Sequence, residues 1–258
     1  MRLSLPMLPE HYDYRIFHDF FTAYARAGIE GVNDSDPLLI ELNRKMDSNN
    51  QLFYIADVIL LDILFISKQV YGMFGIEPEK VSPGFFLTST HADDLRRHHM
   101  LRAKLLNDAQ ELYILKGGNR IYSSNFRSRK PDGKMANLLY QAFIFYSPVP
   151  YESTFLILVI TDISELFRIH KGFHFYVGED RSYFRFPDEQ LLMSGTLFTE
   201  SEFRIIELIE EGYSSKEIAG KIHRSVYTIS THRSNILEKS QKASITEVIY
   251  DLKKKGLL

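Results

Sequence analysis

The residues best suited to chemistry stand near the end of the chain. Residues 213–258 hold nine lysines and arginines against four carboxylates, whereas residues 198–212 hold five glutamates against one arginine. An acidic stretch followed by a basic one suits a segment whose second half meets phosphates. Tyr227, Thr228, Thr231, His232 and Asn235 can share one polar face of a helix. A helix entering the major groove by its N-terminus would use its early residues for bases and its flanks for phosphates. The chemistry implied is non-covalent recognition of a polyanion.

Those residues need short helices to position them. Thr199 can cap a first helix, with Glu202 three residues on as its capping-box partner, and Gly212 ends it. Ser214 or Ser215 caps a second helix to Ile222. Ser225 caps a third, Val226 to about Ser240, and a fourth runs from Ser244 to Lys255. Two short helices joined by His223-Arg224-Ser225 make a helix-turn-helix.

The stretch from Phe198 to Lys239 resembles the LuxR/GerE-type DNA-binding domain over residues 197–258. Thr199, Glu202, Gly212, Ser214, Lys216, Glu217, Ile218, Ala219, Ser225, Thr228, His232, Asn235, Ile236 and Lys239 stand at the family's places. The resemblance implies that Lys216 and Thr228 contact phosphate. It implies that Ile229, Ser230 and Arg233 face bases or the groove wall, and that His232 and Lys239 add backbone contacts. Ile218, Ala219, Ile222, Ile229 and Ile236 belong to the small core, so Ile229 could serve both purposes. By the same resemblance Ile245, Val248, Ile249 and Leu252 on the fourth helix form a dimer surface. Three departures stand out. Ser230 replaces a long polar residue, Arg224 an apolar one, and Ser240 a leucine.

The whole chain, 258 residues and 45% apolar, has room for a second domain. A net charge of −2 sums unlike parts and does not argue against nucleic acid. The absence of cysteine excludes disulfides, thiolate metal sites and thiol nucleophiles. The apolar runs are too short to span a membrane, and no export segment develops before Pro6, Pro9 and Glu10, so a cytoplasmic protein is expected.

Upstream of the basic segment, the pattern is mixed. Helices are expected around residues 16–28 and from Asp36-Pro37 to about Met46, covering a sheet or making a dimer contact. Strands are expected at Leu52 to Val58, Asp62 to Ser67, Ile121 to Ser128, Lys134 to Tyr146 and Ser153 to Thr161. A brief helix ends at Gly75, and a long one runs from His91-Ala92-Asp93-Asp94 to about Leu115. Tyr71-Gly72-Met73-Phe74-Gly75, His91-Ala92-Asp93-Asp94 and Val159-Ile160-Thr161-Asp162-Ile163-Ser164-Glu165, in that order, resemble the PAS sensor family over residues 51–165, with Ala92 where that family has proline. The expected fold is α+β: a PAS-like antiparallel sheet with N-terminal helices, plus an all-α four-helix helix-turn-helix domain. The expected divisions are a helical cap (1–50), the sensor (51–165), a hairpin connector (166–196) and the DNA-binding domain (197–258). In the connector, His174-Phe175-Tyr176-Val177 and Ser182 to Phe186 read as a β-hairpin, sticky enough to pack on the sensor or between domains.

Taken together, these features predict a transcriptional regulator that binds double-stranded DNA as a homodimer, with a small-molecule or protein signal at the PAS-like domain. No cofactor, metal or enzymatic activity is expected. His98 and His99 point about 100° apart on a helix, so at most one could face a pocket; an exposed polar pair is the ordinary reading. Without tryptophan, the chain lacks the pocket of relatives that bind acyl-homoserine lactones. The rival reading is a protein-interaction module or anti-regulator whose helix-turn-helix no longer reads DNA.

Overall fold

The computed structural model describes residues 35–115, 120–146, 154–167, 173–184, 187, 197–254 and 258. The helix expected over 16–28 lies outside them. Helix α1 (Pro37–Ser48) begins as its sequence predicts: Asp36 accepts from Leu38 N at 2.8 Å, and proline takes the first helical position. There follow β1 (Gln51–Asp57), β2 (Asp62–Ile66), α2 (Gln69–Phe74), α3 (Phe85–Thr88), α4 (Ala92–Leu115), β3 (Ile121–Arg129), β4 (Met135–Tyr146), β5 (Thr154–Asp162), α5 (Ser164–Phe167) and β6 (Phe175–Gly178). The six strands form one antiparallel sheet in the order β2-β1-β5-β4-β3-β6. The mixed α+β class and PAS-like element order are as expected. No helix among the described residues is long and apolar enough to cross a membrane.

Strand β1 shows how the sheet acquires two covered faces. Its side chains alternate with period two. Leu52, Tyr54 and Ala56 join the cluster under α2, α3 and α4, with Val70, Phe86 and Leu101. Phe53 and Ile55 join the opposite cluster, where Leu39, Leu42 and Met46 of α1 cover them. Each fully buried Leu, Ile, Val, Phe or Met among them contributes about 1.5–3 kcal/mol. Gly75 ends α2 at φ +68°, and a Cβ there would come within 2.6 Å of Pro131 Cγ. A left-handed turn in close contact with a neighbouring loop requires glycine at this position.

The long helix α4 is clamped to the sheet at its first turn. Asp94, 1% exposed, accepts from Arg127 N at 2.8 Å, Arg127 Nε at 2.9 Å and Arg127 Nη2 at 3.0 Å. Arg97 Nη2 lies 3.3 Å from the same carboxylate and donates to Asn125 O at 2.8 Å. Burial would raise the Asp94 carboxyl, but the Arg127 hydrogen bonds and the Arg97 charge hold it below its ordinary value.

Two expectations need correction. The connector does not form a hairpin among the described residues: β6 pairs instead with β3, from Ile121↔Gly178 to Ser124↔Phe175, and Arg181–Tyr183 is a 3-10 turn. An isolated hairpin is marginal in water, whereas the open β3 edge supplies a ready ladder. Ser123 Oγ lies 2.8 Å from His174 Nε2, and Tyr176 stacks on Tyr183 at 3.8 Å, so the segment is tied to the sheet. The His98–His99 pair is not wholly exposed either. His98 is buried and stacks on Phe126 at 4.4 Å, while His99 faces solvent.

Burial pushes His98 down to about 3 and His174 down to about 4, because the apolar interior penalises the charged imidazole. A histidine held neutral in the fold binds its proton more readily when unfolded. Its contribution is therefore intact above the unfolded value near 6.5 and is lost as pH falls toward the folded value. Unfolding free energy should drop by about 1.4 kcal/mol per pH unit for each histidine between roughly pH 6 and 4. Chemical denaturation across that range checks this, and a folded His98→Gln variant should show a shallower slope.

Candidate nucleic-acid interface

Helices α6 (Glu200–Glu210), α7 (Ser215–Lys221), α8 (Val226–Ser240) and α9 (Ile245–Lys254) form the C-terminal unit. Local signals in the sequence set where three of them begin. Thr199 and Glu202 form a reciprocal capping box on α6, Ser214 and Glu217 another on α7, and Ser225 Oγ accepts from Thr228 N at 3.0 Å to cap α8. Between α7 and α8 the backbone turns through His223 at φ +54°, and Arg224 N donates to Ala219 O at 2.9 Å. Phe203, Ile206, Ile218, Ile229 and Ile236 fill the space between the helices.

This frame exposes Lys216 on α7 and Ser230 on α8. Thr228, His232 and Arg233 are half-buried, and His232 Nδ1 is buried without a hydrogen-bond partner. Ile229 is 0% exposed, so it is core and cannot touch a base. Lys239 Nζ lies 2.7 Å from Glu202 Oε2. Burial would raise the Glu202 carboxyl, and Lys239 together with Thr199 N holds it below its ordinary value. Lys239 thus ties the end of α8 to the start of α6, and a phosphate would have to compete with that pairing. The expected dimer face is corrected as well. Ile245, Val248 and Leu252 are buried in the unit's own core, and Ile249 is half-buried against it, because a four-helix unit this small has no other apolar stripe with which to seat α9.

The acidic stretch has a structural use that sequence reasoning missed. Arg96 Nη1 of α4 lies 2.7 Å from Glu211 Oε1, and Arg96 Nη2 lies 3.6 Å from Glu210 Oε2. Arg127 Nη2 of β3 reaches Glu200 Oε1 at 3.0 Å. Between these pairs Phe173 meets Phe203 edge to face at 4.7 Å, and the Arg97 guanidinium lies 4.8 Å from the Phe173 ring centroid. On the far side Lys253 Nζ pairs with Glu210 Oε1 at 2.9 Å. The acidic helix therefore docks on the sheet domain. The only available signal was the abrupt change of charge sign between 198–212 and 213–258.

Residues 196–250 match the GerE family model, described as bacterial regulatory proteins of the luxR family. This C-terminal segment belongs to the luxR family. The chain is 42% identical over 53 residues to the response regulator protein VraR of Staphylococcus aureus, and equally to that of Staphylococcus epidermidis. The match covers 20% of this chain and 25% of each relative, so the chain spans about a quarter of the length of the curated relatives it matches. Among solved structures, the Vibrio cholerae VqmA dimer, presented with LuxR-type receptors, is 13% identical over 84% of this chain and 88% of its own, with a TM-score of 0.39. The N-terminal domain of a Marinobacter aquaeolei diguanylate cyclase with a PAS/PAC sensor is 14% identical over 45% of this chain and 97% of its own, with a TM-score of 0.34.

If Lys239 serves the GerE fold, its loss must be felt without any DNA. Lys239→Met should destabilise the protein by about 1–3 kcal/mol, the cost of leaving a buried carboxylate short of a charged partner. Thermal or denaturant unfolding of the DNA-free protein measures it. An unchanged midpoint would return Lys239 to the role of a free cation.

Proposed function

We propose that the chain is a sequence-specific transcriptional regulator whose GerE segment binds double-stranded DNA under the control of the PAS-like domain. The observation that carries the DNA reading is the outward face of α8, exposed beside Lys216, Lys221 and Arg224. The relation of α7 to α8 suits insertion of α8 into a major groove, with the flanking cations near phosphates. No catalytic step is assigned to any residue. The protein is expected to act in the cytoplasm as a homodimer on a two-fold operator. The α9 surface that remains open for a second copy includes Thr246, Tyr250 and Lys253.

Control is proposed to run through α4. On one side of this helix, His98, Leu101, Arg102 and Leu105 line a cavity of about 100 Å³ with Tyr54 and Tyr140. Immediately before His98 on this helix, Arg96 and Arg97 hold the GerE segment. Thr90 Oγ1 lies 2.7 Å from Phe86 O and 2.8 Å from His98 Nδ1. With its one proton given to the carbonyl, it accepts from His98 Nδ1, leaving Nε2 as an acceptor. A small-molecule signal seated here would bear directly on α4. A shift of α4 would move α6, and with it the two recognition helices of a dimer, which must sit about 34–36 Å apart to meet successive major grooves. A protein signal acting on the same helix is the alternative input.

Two measurements test this reading. Binding to an operator should weaken steeply with salt, and Lys216→Ala or Arg224→Ala should each reduce the log–log slope by about one. Unchanged slopes in both variants would favour the rival protein-interaction reading. For control, Arg96→Glu should loosen the docking of α6, seen as faster amide exchange in that helix. Adding Glu211→Arg should restore protection by reversing the ion pair. A double variant as loose as the single one would remove α4 from the control path.

A further inference from the structure

The bases that α8 favours can be read from its outward face, given the proposed binding to DNA. Ile229 and Ile236, both 0% exposed, fix the core side of the helix. At about 100° per residue, Tyr227, Thr231, Ser234 and Glu238 project from the opposite side. All four are exposed, Tyr227 at 82%. None is a lysine or arginine. The neighbouring cations lie elsewhere: Lys216, Lys221 and Arg224 precede α8, Arg233 is half-buried on the core side, and Lys239 is engaged with Glu202.

This arrangement discriminates between base pairs. Guanine presents two acceptors, O6 and N7, to the major groove, and the strong reader of that pair is a forked or multiple donor such as arginine or lysine. Here each hydroxyl supplies at most one proton, and two have already spent it. Thr231 Oγ1 donates to Tyr227 O at 3.1 Å, and Ser234 Oγ donates to Ser230 O at 3.2 Å. Their outward lone pairs can only accept. Adenine offers an amino donor to such acceptors, and its partner thymine offers a methyl group. The Thr231 methyl and the Tyr227 ring are the apolar surfaces on this face. A G·C pair shows the same one amino donor and two acceptors, so hydroxyls alone do not separate the two; the thymine methyl, which only an A·T pair offers, does. Glu238 at the far end of the face can only accept, from the amino group of adenine or of cytosine, so the preference for A·T rests on the N-terminal half of the helix.

We propose that α8 selects A·T pairs, with thymine methyl groups packed against Tyr227 and Thr231, so that operator half-sites are A·T-rich where the N-terminal half of α8 lies. The cations around α8 supply affinity for phosphate, and the outward face supplies this preference.

The test uses the full chain. Duplexes selected by the protein from a random library, at fixed salt, should carry A·T pairs across the centre of each half-site. Replacing each contacted thymine by deoxyuridine removes only its methyl group, and should weaken binding about fourfold per methyl. Tyr227→Ala, a change at an exposed position, should abolish that effect at one thymine. Thr231→Ser, which keeps the hydroxyl and deletes the methyl, should abolish it at another. Guanine pairs across those positions, or deoxyuridine duplexes bound as tightly as thymine ones, would overturn the proposal while leaving DNA binding intact. A folded protein that enriches no sequence at all would instead overturn the DNA-binding reading, and this inference with it.

Discussion

The buried carboxylate of Asp94 is the point on which the rest of the arrangement depends. A charge 1% exposed is tolerable only when it is fully matched, since removing one partner of a buried pair costs about 3–5 kcal/mol. Arg127 supplies that match from β3 through its main chain and its guanidinium, and Arg97 adds a second cation from α4 itself. The first turn of α4 is thereby held at one place on the sheet. Everything further along the helix follows, including the side chains that line the cavity. Arg127 then has a donor left over for Glu200, and Arg97 a face left over for Phe173. The same cations that stabilise the sheet domain also receive the GerE segment.

Charge is sorted to match. The glutamates of α6 meet Arg96 and Arg127 on one side and Lys253 on the other, so the acidic stretch is neutralised within the protein. Left exposed are a basic flank and the side of α8 that carries hydroxyls and an aromatic ring. Each partly exposed ion pair in the docking contact contributes only about 0.2–1 kcal/mol. The aromatic contact of Phe173 with Phe203 adds about 0.5–1.5 kcal/mol beyond its buried area. The docking contacts named here are therefore individually of modest energy.

Much of the GerE segment is legible in the sequence, because its cues are local. Capping boxes at Thr199–Glu202 and Ser214–Glu217 act within four residues, and the structure contains both. The strands of the sheet were legible for a similar reason, since alternation and turn residues are read from neighbours along the chain. The errors came where a residue's role depends on what lies across space. Ile229, expected both in the core and toward bases, is core alone, and Lys239 also closes an ion pair 37 residues away in sequence. Ile245, Val248 and Leu252 make an amphipathic stripe, and a stripe does not say whether its own domain or a second copy will cover it.

The sequence by itself determined the helix starts, the strand periodicity, the helix-turn-helix and the reversal of charge at residue 213. These depend on interactions between residues a few positions apart, whose energies are nearly independent of the rest of the molecule. Only the tertiary structure decided that residues 175–178 complete the sheet rather than fold back on themselves, that His98 is buried, and that Asp94 anchors α4. It also decided that the acidic helix faces the sheet domain. Those outcomes turn on desolvation and on pairing between distant segments. A side chain's cost and its partner are defined only once the fold has brought the two together.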